Sequence, residues 1–322
     1  MSPPERSVEE VSAFLTDRHG QPVADLERLK GGAWSSAWSY RVGGEELVVR
    51  FGPDRSWYEA DRMAMAFAGP DLPVPEVRDV GSTADGQAYA ISVRHFGRFL
   101  EDTPVELAGA MAPTLTRLLV ALRSVPAPAN VAVVWHQPAT SPTSWRDFLL
   151  DSLADDPGKV VHGWSTALAA DPELAALADA TTRRIREVID ACPERRDLVH
   201  SDLLYGNVLL SPTAEAAEAV SSWKCSVRGD FLYDAAWCSF WSPWHPGVAA
   251  ADPLSGLLAA PAIRAEPASL VDGAVRHHCY ELQIGFTHLG WNLWTDNQEA
   301  LAGTAKRLRE VLERGPLRFP DP

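Results

Sequence analysis

The segment HSDLLYGNVLL, residues 200–210, arranges a histidine, an aspartate and an asparagine in the pattern His-x-Asp-x-x-x-x-Asn. Apolar runs stand on both sides of these polar residues, which predicts a strand, a loop and a second strand. On a rigid loop, an aspartate that precedes an asparagine at this spacing can place a carboxylate beside an attacking hydroxyl while the amide oxygen holds a metal ion on a donor phosphate. An isolated His-x-Asp pair is more often only a hydrogen-bonded loop, but the complete spacing favours phosphoryl transfer.

The region that precedes this segment begins with a β-rich part. Residues 40–42 and 47–51 are predicted strands joined by a Gly-Gly hairpin turn, and residues 88–93 are a third predicted strand. Between them, residues 57–68 have helical spacing and contain no helix breaker. This part of the chain therefore predicts a small sheet with one helix.

The remainder of the chain is predicted to be mostly helical, with helices at 107–124, 144–153 and 172–192. Strand character stops near residues 94–104, where long helical stretches begin. We therefore expect two domains, residues 1–97 and residues 98–322.

Composition excludes several classes of function. The chain has 322 residues and a net charge of −14, without a basic run that could follow a phosphate backbone, so we expect no nucleic-acid partner. A negative field suits a cationic small molecule better. The N-terminal sequence has neither a basic leader nor an apolar span, which predicts a cytoplasmic protein without a membrane partner. Nothing in the sequence indicates the oligomeric state.

The residues 200–210 and the segment SSWKCSVRGDFLYDAAW, residues 221–237, resemble the aminoglycoside phosphotransferase family, and in particular its hygromycin B phosphotransferase branch. The resemblance implies an α+β, two-lobed protein-kinase-like fold, with a small β-rich N-lobe and a larger, mostly helical C-lobe. It also implies an antibiotic-resistance enzyme that uses ATP or GTP with Mg²⁺ to phosphorylate an alcohol group of a small molecule. An aminoglycoside or aminocyclitol-like compound is the expected acceptor.

The resemblance implies roles for the residues of the catalytic loop. Asp202 would be the catalytic base or the residue that orients the hydroxyl, His200 would brace the loop, and Asn207 would be a magnesium ligand. Arg50 lies in the strand from which the family directs a cation toward the α and β phosphates, and Glu59 would be its partner. The alternative for Arg50 is a surface cation on an edge strand.

The segment 30–36, KGGAWSS, occupies the place of the loop that covers the phosphates, with Gly31, Gly32, Ser35 and Ser36 as its cofactor-binding residues. Glycines let backbone N–H groups approach a phosphate, and serines add donors. A Gly-Gly turn is common in proteins without ligands, so the position ahead of the strand 47–51 carries this assignment.

Three acidic residues of the C-terminal part are candidates for the acceptor site. Asp234 either lines that site or interacts with a helix N-terminus, and the alternative for Glu281 and Asp296 is a solvated helix face.

One position departs from the family pattern. In the family an Asp precedes the Trp of the second segment and is the principal metal ligand, whereas this chain has Ser222 there. A Ser hydroxyl ligates magnesium in P-loop enzymes, so this departure does not exclude a metal. Because His200, Asp202 and Asn207 are all present, the chain is predicted to be a small-molecule kinase. Two alternatives stay open: a nucleotide-binding pseudokinase, and an enzyme that uses the same loop without phosphoryl transfer.

Overall fold

The computed structural model describes residues 6–30, 32 and 34–319. The chain forms two compact units, Met1–Thr103 with Leu204–Cys225, and Pro104–Leu203 with Ser226–Pro322. The predicted single boundary after residue 97 differs from this division, because the chain returns to the first unit at Leu204, between Asp202 and Asn207. Strand pairing is the physical reason. Leu209 and Leu210 in the returning segment pair with Phe99 and Arg98, which lie before the end of the first stretch at Thr103.

The first unit contains an antiparallel sheet. Its strands lie in the order β1-β2-β3-β5-β4. They are β1 (Ala24–Leu29), β2 (Ser36–Val42), β3 (Glu45–Gly52), β4 (Val77–Ser82) and β5 (Ala88–Val93). The predicted hairpin is confirmed, because β2 and β3 pair across Gly43 and Gly44, whose φ angles of 58° and 88° lie in the left-handed region that glycine tolerates.

Alternation along β3 explains why this sheet has one packed face. Leu47, Val49 and Phe51 are buried on the same face, as the two-residue period of a strand requires. Helix α1 (Val8–His19) adds Val11 and Leu15 to the same core. The intervening Arg50 points to the other face of the sheet, where it contributes to the site described below.

Helix α2 (Arg55–Ala64) begins two residues before the predicted start, because the Asp54 side chain accepts a hydrogen bond from the Ser56 N–H and caps the helix. A short 3₁₀ turn, Met65–Phe67, follows it. The first unit is completed by a small antiparallel sheet of β6 (Arg98–Phe99), β8 (Val208–Leu210) and β9 (Ala217–Val220).

The second unit is mainly helical, as predicted. Its two strands, β7 (Asp197–Val199) and β10 (Val227–Gly229), pair antiparallel. Its helices are α3 (Ala108–Ser124), α4 (Trp145–Asp151), α5 (Ser165–Ala170), α6 (Pro172–Val188), α7 (Leu232–Trp241), α8 (Pro246–Ala251), α9 (Pro253–Ala259), α10 (Pro261–Arg264), α11 (Gly273–Trp294) and α12 (Gln298–Arg314).

Helix α3 contributes one apolar face to the core of this unit. Together with the turn before it, the helix spans residues 105–124 and is long and apolar enough to cross a membrane by length and composition. Its Met111, Leu115, Leu118 and Leu122 are buried, however, and the helix packs against α8, α9 and β7. Burial of this apolar face inside the unit is typical of a core helix.

Candidate active site

The first half of the catalytic loop leaves β7 and is held by Asp234 of α7. The two carboxylate oxygens of Asp234 accept hydrogen bonds from the backbone N–H groups of His200, at 2.9 Å, and Ser201, at 2.8 Å. Ser201 has a φ of 59°, and the Asp202 N–H donates to Nδ1 of the buried His200 at 3.3 Å. These contacts fix the backbone that carries the Asp202 carboxylate.

Asp234 is buried, with 1% of its surface exposed, so it does not line an acceptor site. Burial raises the pKa of its carboxyl group to about 7, although the hydrogen bonds from His200 and Ser201 oppose that rise. The alternative expected from the sequence, an interaction of Asp234 with a helix N-terminus, is not what these contacts show, because both N–H donors belong to the loop after β7.

Asp230 takes part in a buried hydrogen-bond network in the second unit. Its carboxylate accepts from Nε and Nη2 of Arg276 at 2.8 and 2.7 Å, and from the Tyr280 hydroxyl at 2.6 Å. Asp230 and Arg276 are both almost completely buried, so separating this pair would leave an uncompensated charge.

The expectation that Glu281 meets the acceptor is wrong. Glu281 is buried on α11, where its carboxylate pairs with Arg314 of α12 and lies 3.2 Å from Nδ1 of His277. The helix is enclosed because α6, α7 and α12 all pack against it. Asp296, which follows the end of α11, is exposed and accepts from the Gln298 side chain at 2.9 Å.

The second half of the catalytic loop lies in the first unit and carries Asn207. The Asn207 Nδ2 donates to the Leu204 carbonyl oxygen at 2.9 Å, which fixes the orientation of the amide. The Asn207 carbonyl oxygen accepts from the Ser221 N–H at 2.8 Å, at the start of the pairing between β8 and β9. Ser222 follows with a φ of 69°. Asn207 and the segment that carries Ser222 are therefore neighbours.

Arg50 pairs with Asp61 and not with Glu59. Nη2 of Arg50 contacts Oδ2 of Asp61, and Oδ1 of Asp61 accepts from the Trp223 N–H at 2.7 Å. Burial opposes the charge of Arg50, yet Asp61 and Tyr58 raise its pKa. The buried carboxylate of Asp61 thus joins β3 to the segment that follows β9.

The Glu59 side chain lies on the other side of α2 from Asp61. It pairs with Arg55 and Arg62 on the surface of α2. Two positions along a helix correspond to a rotation of about 200°, so Glu59 and Asp61 lie on nearly opposite sides of α2. The side that holds Asp61 also carries the buried Tyr58 and Ala64, each within about 60° of Asp61 around the helix axis. The helix therefore turns Asp61, and not Glu59, toward the sheet.

The segment 30–36 lies between β1 and β2. Gly31 is outside the described residues, Gly32 is exposed, and Ser35 is half-buried. Ser36 begins β2, and its side chain is buried. Of the two predicted serine donors, Ser35 is therefore the one that solvent reaches.

An aromatic pair lies beside this segment. The rings of Trp34 and Trp57 meet edge to face at 5.3 Å, and Nζ of Lys224 lies 5.0 Å from the Trp34 centroid and 4.5 Å from the Trp57 centroid. Both distances fall within the range of a cation–π interaction. We call Trp34, Trp57 and Lys224 the indole–lysine cluster.

Comparison with known proteins identifies the architecture. A family model described as "Phosphotransferase enzyme family" matches residues 25–267. The chain belongs to this phosphotransferase family. It is 32% identical to the hygromycin-B 4-O-kinase of Escherichia coli over 247 residues, covering 76% of this chain and 70% of that relative. The predicted resemblance is therefore confirmed.

Solved structures of related enzymes have the same fold as this phosphotransferase. The crystal structure of aminoglycoside phosphotransferase APH(4)-Ia matches with a TM-score of 0.81 at 27% identity, covering 96% of this chain and 99% of that one. A thermostable mutant of that enzyme, in a ternary complex with AMP-PNP and hygromycin B, matches with a TM-score of 0.79 at 29% identity, over 94% and 98% of the two chains. The predicted α+β kinase-like fold is confirmed.

The residues of this phosphotransferase do not fit a magnesium ion held at the predicted ligands. Asn207 and Ser222 offer an amide oxygen and a hydroxyl, which are both uncharged, whereas protein-bound Mg²⁺ is usually held by one or two carboxylates. The nearby carboxylate of Asp61 is already bound to Arg50 and the Trp223 N–H. Among the described residues, no group of three or more His, Cys, Asp or Glu side chains is arranged to hold a metal.

Asp61 and Lys224 of this phosphotransferase were not among the site residues predicted from the sequence. Asp61 lies two positions after Glu59 on helix α2. The buried residues of α2 recur with a helical period on the side that carries Asp61, and this period distinguishes Asp61 from Glu59. Lys224 lies two positions after Ser222. Its contacts are with Trp34 and Trp57, which are far away in the sequence, so no local sequence pattern predicts them.

Proposed function

We propose that this phosphotransferase transfers the γ-phosphate of ATP to a hydroxyl group of a cationic aminoglycoside antibiotic of the hygromycin B type. The observation that carries the proposal is the catalytic loop, in which Asp234 and His200 fix the backbone around Asp202. The relative named as a hygromycin-B 4-O-kinase, and the related structure with AMP-PNP and hygromycin B, support the choice of both substrates.

In this proposal the Asp202 carboxylate orients the acceptor hydroxyl and accepts its proton. The hydroxyl oxygen forms a bond to the γ-phosphorus, the bond to the β–γ bridging oxygen breaks, and ADP leaves. Such transition states are loose, so positioning contributes more than the proton affinity of the base. His200 acts through Asp202, because its ring accepts the Asp202 N–H and does not itself reach the substrate in the proposal.

The first unit binds the nucleotide. Arg50, held by Asp61, presents a guanidinium group that can bind phosphate oxygens in a bidentate manner. Gly32 and Ser35 supply donors from the loop before β2. In this proposal the exposed carboxylate of Asp296 contacts amino groups of the acceptor. GTP is the alternative donor, and a cytoplasmic location stays a prediction.

The experiment is a phosphorylation assay with hygromycin B and either ATP or GTP, with and without Mg²⁺, read by ADP release and by the mass of the antibiotic. Asp202→Asn is expected to lower kcat by a factor of about 10² to 10⁴. Asp179→Asn, an exposed aspartate of α6 in the same unit, is the matched control and is expected to keep wild-type kcat.

Ser222 favours one alternative, a pseudokinase that binds nucleotide without transferring phosphate. Nucleotide binding without any phosphorylated antibiotic, under all four conditions and with other aminoglycosides, would support that alternative and overturn the proposed activity. Equal kcat in Asp202→Asn and the wild type would exclude Asp202 as the catalytic residue while leaving the overall reaction in place.

A further inference from the structure

A row of aromatic rings lies in the second unit, where α7 and the turn after it pack against α11. The ring centroid of His288 on α11 is 5.2 Å from that of Trp237 and 4.8 Å from that of Trp241. The ring of Trp244 follows, at 5.3 Å from Trp241. We call Trp237, Trp241, Trp244 and His288 the His288 patch.

The His288 patch is buried at one end and open at the other. Trp237 and Trp241 are each 6% exposed, whereas Trp244 is 43% exposed and His288 keeps part of its surface exposed. Trp244 also packs on α12, where a Cβ at Gly303 would lie only 3.2 Å from the indole. The exposed indole is therefore supported on two sides, as a surface that stacks on a ligand requires.

A hydrogen bond determines which nitrogen of His288 carries the proton. Nδ1 lies 2.8 Å from the carbonyl oxygen of Ile284, and because a carbonyl oxygen only accepts, Nδ1 is the protonated nitrogen. Burial lowers the pKa of His288 to about 4, although that hydrogen bond opposes the fall. The ring is therefore neutral near neutral pH, with a lone pair on Nε2.

The lone pair of Nε2 is open to a ligand. Among the described residues, no hydrogen bond ends on this atom, and the atom is not fully buried. It can accept a hydrogen bond from an ammonium or hydroxyl group, and the neutral imidazole does not repel a cation. A metal ion would need further ligands, and no group of three His, Cys, Asp or Glu side chains within the described part of the chain supplies them.

Helix α7 connects the His288 patch to the catalytic loop. Asp234, Trp237 and Trp241 occupy positions i, i+3 and i+7, so they lie along one side of the helix. Asp234 holds the backbone N–H groups of His200 and Ser201. Because a helix rises about 1.5 Å per residue, Trp237 lies about 5 Å and Trp241 about 10 Å along the axis from Asp234. A molecule of several sugar rings can span this distance.

We propose that the His288 patch binds the aminoglycoside acceptor, with Nε2 of His288 accepting a hydrogen bond from an ammonium or hydroxyl group and the exposed indole of Trp244 stacking on a sugar ring. The inference rests on the proposed function, because the ligand is the acceptor of that reaction. The net charge of −14 attracts a cation from a distance but does not orient it. A polar atom of fixed direction beside an apolar surface supplies that orientation.

Two substitutions of His288 separate hydrogen bonding from packing. His288→Phe keeps an aromatic ring between the indoles and removes the acceptor, whereas His288→Gln removes the ring and keeps an acceptor oxygen. We expect KM for hygromycin B to rise roughly 10- to 100-fold in His288→Phe and to stay within about threefold of the wild type in His288→Gln, as the loss of a hydrogen bond to a charged group implies. In both variants kcat and KM for ATP are expected to match the wild type.

His162→Phe is the matched control. Nδ1 of His162 lies 2.7 Å from the Lys159 carbonyl oxygen, which is the same kind of contact, but this histidine is exposed on the loop between α4 and α5. The variant is expected to keep the wild-type KM for hygromycin B. Thermal unfolding of each variant shows whether a change in KM reflects a loss of fold.

The stacking surface has a test of its own. Trp244→Leu removes the exposed indole and is expected to weaken hygromycin B binding about three- to tenfold, as measured by calorimetric titration into the full chain without nucleotide. Because this titration gives a Kd, its result does not depend on turnover. A Kd equal to that of the wild type would overturn the stacking contact.

Nitrogen NMR of the wild-type chain reads the hydrogen bond directly. The chain has nine histidines, and the spectrum of His288→Phe identifies the His288 signals among them. An unprotonated ring nitrogen resonates far downfield of a protonated one and moves upfield when it accepts a hydrogen bond. We expect saturating hygromycin B to move the Nε2 signal of His288 upfield and to leave the Nδ1 signal in place.

The outcomes separate this inference from the proposed function. If the wild type phosphorylates hygromycin B while the Nε2 signal does not move, or while His288→Phe keeps the wild-type KM, the role of His288 is overturned and the kinase proposal stands. A KM that rises as much in His288→Gln as in His288→Phe overturns the hydrogen bond as the cause. Failure of the wild type to bind or phosphorylate any aminoglycoside overturns both proposals.

Discussion

At the scale of the residue, Asp234 determines the conformation of the catalytic loop. A buried carboxylate is unfavourable unless it is hydrogen-bonded, and Asp234 is bound by two consecutive backbone N–H groups, those of His200 and Ser201. Burial nevertheless dominates and raises the pKa of Asp234 to about 7. The Asp234 carboxyl group, which positions the loop, therefore changes its protonation state near neutral pH.

The raised pKa predicts a pH-dependent stability. From about pH 4 to about pH 7 the folded protein keeps a proton on Asp234 that the unfolded chain has released, so the contribution of this group to the free energy of unfolding falls as the pH rises. A difference of about three pKa units corresponds to roughly 4 kcal/mol across this window. Asp234→Asn should remove that dependence, because asparagine does not titrate.

Urea unfolding of both proteins between about pH 4 and pH 8 tests this prediction. The buried His278 and His288, whose pKa values burial lowers to about 4, act with the opposite sign, but they are present in both proteins and cancel in the difference. Loss of one hydrogen bond in Asp234→Asn adds an offset that is constant with pH. Parallel stability curves for the two proteins would contradict the prediction.

At the scale of the element, α2 joins strand β3 to the segment after β9 through Asp61. The Asp61 carboxylate contacts Arg50 on one side and the Trp223 N–H on the other. The Asp61 carboxylate therefore links this segment to β3, in addition to the contacts of Lys224 with Trp34 and Trp57. Because Ser222 and Lys224 flank Trp223, the same contact also holds the backbone between these two residues.

Substitution on the two sides of α2 should have very different effects. Asp61→Asn is expected to lower the free energy of unfolding by about 3 kcal/mol or more, because it leaves the Arg50 cation half-buried and unpaired. Glu59→Gln is expected to cost less than about 0.5 kcal/mol, since its pairs with Arg55 and Arg62 are on the surface. Chemical denaturation of both variants measures the two values, and equal losses would refute the assignment of Asp61.

Local sequence pattern was sufficient to predict several of the strands and helices, but not which side of a helix packs on the sheet. The hairpin of β2 and β3, the strand β5 and the helix α3 follow from alternation, turn residues and helical spacing. The pairing of Arg50 could not be predicted in this way, because Glu59 and Asp61 differ only in the side of α2 that packs on the sheet. Glu281 was misplaced for a related reason: three helices enclose α11, and their positions depend on contacts between distant segments.

At the scale of the whole molecule, the chain is not divided at one point. Composition and periodicity change near residue 97, which predicts a single boundary there. The segment 204–225 returns to the first unit, since β8 pairs with β6 and β9 pairs with β8. Such a return is set by long-range strand pairing, which a change in local composition does not reveal. The chain passes between the units after Thr103, after Leu203 and after Cys225, and the second of these passages lies within the loop that carries Asp202 and Asn207.

The net charge of −14 acts on both proposed substrates, with opposite signs. It attracts a cationic aminoglycoside and repels ATP, and salt screens both effects, because the Debye length falls from about 30 Å at 0.01 M to about 3 Å at 1 M salt. Raising the NaCl concentration over this range is therefore expected to lower kcat/KM for hygromycin B, at saturating ATP, by about tenfold. Under the same conditions kcat/KM for ATP should stay constant or rise, so each substrate serves as the control for the other. Initial rates of ADP release measure both quantities, and an equal fall for both substrates would indicate general inhibition by salt and refute attraction of the acceptor by the field of the protein.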